Sequence, residues 1–311
     1  MLKRVTMLFV SAIFCVSIAG CDKKATSTED SEKIQVVASF HAVKEITTLV
    51  GGDKVDIVSI VPSGTEAHDF EPKASDIKRI AGADIFIYNG LGMEEWVDDA
   101  LNSAQNSELQ IINLSKSSDL IKLSDEEQNH VDMEDTSENK EDHKHGEYDP
   151  HIWLSIKEVE KSILTIKDKL VEEDPENKSY YEENYNKNVK RLQDIYEEYK
   201  AKFDGLNNKS FIAGHEAFGY LCRDFSLKQI GVEDAFASGD PSPAKLKALV
   251  DYVKENKVKT IFSEEAASSK ISDTLAKEVG ATVKPLVTFE NSGSYIDDMR
   301  KNLDIIYEGI K

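Results

Sequence analysis

The chain has 311 residues, of which 40% are hydrophobic and 31% are charged, and its formal net charge at pH 7 is −20. This amount of apolar material can bury a sizeable core, so the composition excludes a wholly disordered chain. A nucleic-acid-binding protein needs a basic face, and the acidic excess disfavours that class. The three cysteines are too few for a fold that is held together by disulfides.

Residues 1–20 have the pattern of a secretory signal peptide. Two basic residues precede an apolar run over residues 5–16, which is shorter than the roughly 20 residues of a membrane-spanning helix. Small residues before Cys21 resemble a bacterial lipoprotein signal, in which cleavage leaves a lipidated cysteine; the alternative is an ordinary signal with a chance cysteine. Residues 21–33 are polar and lack periodicity, which predicts a flexible tether.

From residue 34 onward, short apolar runs alternate with amphipathic stretches. The predicted strands cover residues 34–40, 56–61, 85–88, 109–114, 210–213, 227–230, 260–262 and 282–287. The predicted helices cover residues 42–50, 75–81, 94–104, 217–224, 243–255, 271–279 and 296–307. Alternation at this spacing is typical of βαβ units, so we expect two α/β halves, each built on a four-stranded parallel sheet.

A long helix is predicted between the two halves. Asp174 can cap it and Pro175 can take its first position. Seven apolar or aromatic residues then recur every three or four positions: Tyr181, Tyr185, Val189, Leu192, Tyr196, Tyr199 and Phe203. A helix over residues 175–203 is on the order of 43 Å long at 1.5 Å per residue. We expect a stiff connector whose aromatic stripe packs against a core.

Residues 124–147 break the globular pattern. This segment contains ten acidic residues and two lysines, together with His130, His143 and His145. The composition predicts a solvated loop. Such a loop is either a simple spacer or, because short histidine-rich tracts bind metals weakly, an arm that collects metal ions.

Three other histidines and one carboxylate follow predicted strands or sharp turns. They are His68, His151, His215 and Glu290. Ligands of open parallel sheets bind beyond the carboxyl ends of the strands, so these side chains can converge on one crevice. Three imidazoles and a carboxylate suit a four-coordinate ion such as Zn²⁺. On spacing alone, a satisfied polar residue at the end of a strand is the commoner explanation for each histidine.

Three motifs together resemble the metal-binding lipoproteins of zinc and manganese ABC importers. They are residues 65–72 around His68, residues 149–154 around His151, and residues 213–218 around His215. Residues 240–243 match a further family segment, and the resemblance covers nearly all of residues 34–311.

The resemblance implies two (β/α)₄ lobes with parallel sheets, joined by one long rigid helix. It places the first lobe at residues 34–173, the linking helix at 174–205 and the second lobe at 206–311. It also implies that the three motif histidines bind the metal. The third position resembles a glutamate in manganese members, so His215 and the histidine-rich loop both favour Zn²⁺.

The fourth ligand stays open in this sequence. Glu290 matches the family best, with Asp297, Asp298 or water as alternatives. Four further residues are candidates for supporting the ligands from behind: His41, Glu66, Asp69 and Glu264. Each of them can instead be an ordinary polar residue of a turn or a strand end.

The resemblance implies a monomeric, non-enzymatic carrier that is anchored outside the cytoplasm by lipid at Cys21. It captures Zn²⁺ and delivers it to an ABC permease, with ATP hydrolysis on another subunit because the sequence has no phosphate-binding loop. A manganese-specific member of the family is the first alternative. A zinc hydrolase is less favoured, because position 219 is glycine where a zincin helix after His215-Glu216 needs histidine. An adhesin is a third reading, which no repeat or aromatic patch supports.

Overall fold

Two four-stranded sheets of identical strand order organise the chain, and all of their strands are parallel. The computed structural model describes residues 33–68, 70–123, 146–235, 242–265, 270–291 and 293–311. The first sheet has the order β2-β1-β3-β4, and its strands are Ile34–Ala38 (β1), Val55–Ser59 (β2), Ile85–Tyr88 (β3) and Gln110–Asn113 (β4). The second has the order β6-β5-β7-β8, and its strands are Ser210–Ala213 (β5), Lys228–Gly231 (β6), Thr260–Glu264 (β7) and Thr282–Leu286 (β8).

This topology confirms the predicted α/β fold with two parallel sheets. In the register of the first sheet, Val36 lies beside Ile57 of β2 and Ile85 of β3. In each sheet the order in which strands are added reverses after the second strand. The first strand therefore lies inside the sheet: β1 lies between β2 and β3, and β5 lies between β6 and β7. Such a switch point opens a crevice beyond the carboxyl ends of the strands.

Nine helices lie between and after these strands in the described part of the chain. They are His41–Gly51 (α1), Ala74–Ala81 (α2), Val97–Ala104 (α3), Ile156–Glu173 (α4), Lys178–Asp204 (α5), Gly219–Phe225 (α6), Pro243–Glu255 (α7), Lys270–Val279 (α8) and Tyr295–Ile310 (α9). Within these residues, no helix has the length and apolar character required to cross a membrane. The prediction that α3 begins at residue 94 is wrong, because a run of turns precedes it and the helix starts at Val97.

Helix α4 has no counterpart in the sequence prediction. Ser155 caps it by accepting a hydrogen bond from the Glu158 amide at 3.1 Å. Its buried residues include Ile156, Val159 and Ile163, and this spacing of three and four is that of one helix face. Both signals are present in the sequence.

The linking helix α5 is 27 residues long and follows a 3-10 turn at Pro175–Asn177. Asp174 caps this turn, as predicted, by accepting from the Asn177 amide at 3.2 Å. The buried face of α5 differs from the predicted stripe, because it includes Asn188 and Ile195 in addition to four of the predicted residues. The Asn188 side chain is satisfied by donating to the Leu49 carbonyl at 2.7 Å.

One apolar core continues from the first lobe through α5 into the second lobe. A second, smaller cluster lies within the second lobe, around Ile212, Leu249 and Ile261. The two lobes are also joined by hydrogen bonds of Trp153, whose indole donates to the Thr288 carbonyl at 3.0 Å. The junction is therefore packed and hydrogen-bonded, which fits a stiff connection.

Candidate metal centre

The imidazoles of His68, His151 and His215 lie together between the two sheets. The His151 Nε2 atom is 3.4 Å from that of His68 and 3.3 Å from that of His215. Possible ligand atoms of the three residues all lie within 4.8 Å of one another. His151 and His215 are buried, and His68 is partly exposed.

These spacings match those of neighbouring ligands around one zinc ion. Zinc–nitrogen bonds of about 2.0–2.1 Å in a tetrahedron place neighbouring ligand atoms about 3.3 Å apart. Two Nε2 atoms approach to this distance favourably only when a shared proton or a bound cation lies between them. The arrangement thus provides three corners of a tetrahedral site.

Turns and the ends of strands position the three histidines. His68 follows β2 through a turn, His151 precedes a 3-10 turn at Ile152–Leu154, and His215 lies two residues beyond β5. The Gly64 amide donates to the Glu290 carbonyl at 2.9 Å, so the turn before His68 contacts the loop that follows β8. The site is assembled from both lobes.

Asp149 orients His151. Its Oδ1 atom accepts from the His151 amide at 2.9 Å and lies 2.8 Å from the His151 Nδ1 atom. This contact leaves Nε2 facing the cluster, as in the carboxylate–histidine pairs of many zinc sites. Burial, followed by the charge of His215, lowers the pKa of His151 well below its ordinary value, so its imidazole is neutral and ready to bind a cation.

Sequence reasoning missed the role of Asp149. Its position two residues before His151, separated only by Pro150, was the available signal. Tyr220 further fixes this segment, because its hydroxyl donates to the Asp149 carbonyl at 2.7 Å.

Glu264 supports His215 in the same way. Its Oε1 atom is hydrogen-bonded to the His215 Nδ1 atom, and both side chains are buried. Burial disfavours the charged imidazole, but the Glu264 carboxylate outweighs it and raises the pKa of His215 to about 9. Burial would raise the pKa of Glu264, yet the positive charge of His215 holds it below its usual value. The two form an ion pair in the free protein.

Glu290 lies near this pair but is outside the three-histidine group in the described residues. It is buried and accepts from the Thr288 hydroxyl at 3.1 Å. Burial, followed by the neighbouring Glu66 carboxylate, raises its pKa to about 8, with a smaller increase from Glu264, whereas the Thr288 hydrogen bond and the charge of His215 act in the opposite direction. The same Glu66 carboxylate also acts on the pKa of His215. Glu290 and Glu66 are thus electrostatic neighbours of the histidines.

The alternative fourth ligands have other surroundings. Asp297 is exposed and forms an ion pair with Arg191 of the linking helix at 3.3 Å. Asp298 acts electrostatically on Glu45 of α1 and helps to raise its pKa, after burial.

His41 lies outside the cluster at the start of α1. Its buried Nε2 atom has no hydrogen-bond partner among the described residues and lies 3.6 Å from Glu45 Oε1. Burial, assisted by the charge of Lys44, lowers the pKa of His41. The other predicted positions fall outside the described residues: Cys21, Asp69, His130, His143 and His145.

Two parallel sheets with ligand-type imidazoles in the crevice between them define a class of two-lobed α/β binding proteins. Residues 36–309 match the family described as zinc-uptake complex component A, periplasmic, and the chain belongs to this family. The predicted resemblance is thereby confirmed.

Known relatives extend this assignment. The chain is 37% identical to the high-affinity zinc uptake system protein ZnuA of Bacillus subtilis over 321 residues, covering 100% of this chain and 99% of that protein. The laminin-binding protein Lmb of Streptococcus agalactiae, described as an adhesin with metal-transporting activity, is 32% identical with a TM-score of 0.77, covering 89% and 100% of the two chains. A Zn(II)-bound mutant variant of AdcAII from Streptococcus pneumoniae is 31% identical with a TM-score of 0.76, covering 90% and 99%.

Proposed function

We propose that this protein captures Zn²⁺ outside the cytoplasm and delivers it to the permease of an ABC importer. The observation that carries the proposal is the triangle of Nε2 atoms from His68, His151 and His215, with two sides of 3.4 and 3.3 Å. Membership of a zinc-uptake family supports the same conclusion. The protein acts as a carrier and not as an enzyme, and Zn²⁺ is its cargo.

The donor set favours zinc over manganese. Neutral imidazole suits Zn²⁺, whereas Mn²⁺ prefers carboxylate and carbonyl oxygen. Asp149 and Glu264 hold their histidines through Nδ1 and direct Nε2 toward the shared centre. Glu290 supplies the fourth ligand in this proposal, and its buried position near the cluster supports that role.

The negative charge of the chain assists the capture of zinc. A net charge of −20 creates a field that attracts cations and speeds their encounter with the crevice.

Lipidation at Cys21 would hold the protein at the membrane beside its permease. Palmitate labelling of the unchanged chain and of Cys21→Ala tests this. A chain labelled equally without Cys21 would contradict the anchor.

Zinc titration of histidine variants tests the site. We expect His68→Ala, His151→Ala and His215→Ala each to weaken zinc binding by more than about a hundredfold, which exceeds the usual effect of removing an outer partner of a ligand. His41→Ala is the matched control, since His41 is a buried histidine outside the cluster, and it should bind zinc like the unchanged protein. The measurement is competition with a chromophoric zinc chelator, repeated with excess Mn²⁺. Unchanged affinity in His151→Ala, or loss of zinc to manganese, would refute the proposal.

We further propose that residues 124–147 collect zinc without forming the tight site. Three histidines and ten acidic residues within one segment raise the local zinc concentration beside His151. Deleting residues 125–141 together with His143→Ala and His145→Ala should leave one tight equivalent, remove weaker ones and slow capture. Loss of the tight equivalent would show that the segment supplies a ligand.

A further inference from the structure

The turn after β3 has an unusual backbone. Gly90, Leu91 and Gly92 have φ values of 88°, 62° and 81°, so three consecutive residues occupy the left-handed region. Leucine rarely adopts this conformation, because its Cβ approaches the carbonyl oxygen that follows. Strained backbone of this kind persists only where its surroundings fix it. The contacts of the turn therefore show which residues fix its conformation and which segment it positions.

A buried carboxylate fixes the turn from inside. Glu94 Oε1 accepts from the Ser39 hydroxyl at 2.6 Å and from the Asn89 amide at 2.8 Å, and Oε2 accepts from the Gly90 amide at 2.9 Å. Ser39 directly follows β1, so one side chain ties the ends of two central strands to the turn. The Glu94 carboxylate therefore accepts three hydrogen bonds and donates none of them.

The outer side of the turn contacts the segment that carries His151. The buried Asn89 amide group donates from Nδ2 to the Pro150 carbonyl at 2.8 Å. The Leu91 carbonyl lies so close to Gly146 that a β-carbon there would be 2.7 Å from its oxygen. Both contacts reach residues 146–150, whose next residue is His151.

We propose that Glu94 is a positioning residue for zinc binding, which fixes the strained 89–92 turn and through Asn89 and Pro150 sets the place of His151. This proposal rests on the proposed function and adds a residue that lies behind the site. Asp149 sets the rotation of the His151 ring, whereas Glu94 and Asn89 fix the backbone from which that ring extends.

Glu94→Gln tests the proposal because it keeps the shape of the side chain. A glutamine offers one acceptor oxygen and one NH₂ donor, so at least one of the three donors would face another donor. We expect zinc affinity to fall about tenfold, the lower end of the effects of outer partners on metal binding. Glu108→Gln makes the same substitution at an exposed position of the same lobe and should not change affinity.

A double-mutant cycle with His151→Ala separates positioning from general stability. If Glu94 acts through His151, then Glu94→Gln should have little further effect on zinc affinity once His151 is absent. A purely structural role would lower the unfolding temperature of the zinc-free protein and leave the affinity of the folded protein unchanged. Asn89→Ala, which keeps the backbone donor to Glu94 but removes the contact with Pro150, should reproduce the affinity loss and serves if Glu94→Gln does not fold.

Two results would overturn the proposal. One is unchanged zinc affinity in folded Glu94→Gln or in Asn89→Ala. The other is an affinity loss that persists in full in the His151→Ala background. Failure of the proposed function is distinguishable from both, because His151→Ala alone would then leave zinc affinity unchanged.

Discussion

Zinc binding should release protons at neutral pH, because two buried groups of the crevice hold a proton in the free protein. The pKa of His215 is raised to about 9 and that of Glu290 to about 8. At pH 7 these values leave His215 about 99% and Glu290 about 90% protonated. His151 has a lowered pKa and contributes no proton. In the proposed site, Zn²⁺ replaces the proton of His215 and binds ionised Glu290, so about two protons should leave per zinc bound.

The same values predict how affinity changes with pH. Between pH 7 and pH 8 the deprotonated fractions of His215 and Glu290 both rise, so affinity should rise by more than the tenfold that the loss of one proton allows. Glu290→Gln removes the second contribution, and its affinity should rise only about ninefold over the same range. The free energy for removing the His215 proton at pH 7 is about 3 kcal/mol, because each pKa unit corresponds to about 1.36 kcal/mol.

Isothermal titration calorimetry in buffers of different ionisation enthalpy counts the released protons. The expected counts at pH 7 are about two for the unchanged protein and about one for Glu290→Gln. An equal count in both proteins would show that Glu290 does not ionise when zinc binds. A count near zero in the unchanged protein would refute the protonated His215–Glu264 pair itself.

Three further outcomes are expected. Asp149→Asn should weaken zinc binding about ten- to a hundredfold by removing the acceptor that orients His151, as chelator competition would show, and an unchanged affinity would contradict that role. Leu192→Ala in the linking helix should lower the free energy of unfolding by about 2–5 kcal/mol in urea, whereas the partly exposed Leu164→Ala should have a much smaller effect; equal losses would contradict the packing. The raised pKa of His215 favours the folded zinc-free protein below about pH 6.5, and this contribution should be lost as pH rises through about 9, which thermal unfolding across that range would detect.

Much of the fold was predictable because strands such as β3 and β5 are short apolar runs between turns. The predicted and observed bounds of β3 and β5 agree, and all eight strands were found. Helix α4 was missed although Ser155 and the spacing of Ile156, Val159 and Ile163 signal it. The buried face of α5 was predicted incompletely, since Asn188 is buried only because the Leu49 carbonyl of another helix accepts its amide proton. That partner depends on tertiary packing.

The candidate site, like the fold, was predictable only in part. His68, His151 and His215 were predictable from strand ends and motifs, because the topology of a parallel sheet brings such positions to one edge. Glu264 was predicted as a supporting residue, and the structure places it in hydrogen-bond contact with His215. Asp149 was overlooked, and Glu94 gave no signal, because its role depends on three donors that meet only in the folded chain.

The apolar core that passes through α5 has a thermodynamic consequence. Because the lobes share this core, neither can lose its packing without exposing surface of the other, so they should melt in one transition. Cargo in the crevice then stabilises the whole folded chain, by RT ln(1 + [Zn²⁺]/Kd) when it binds only the native state. The zinc-bound protein would resist unfolding and proteolysis along its entire length. The zinc-free protein would be degraded more readily.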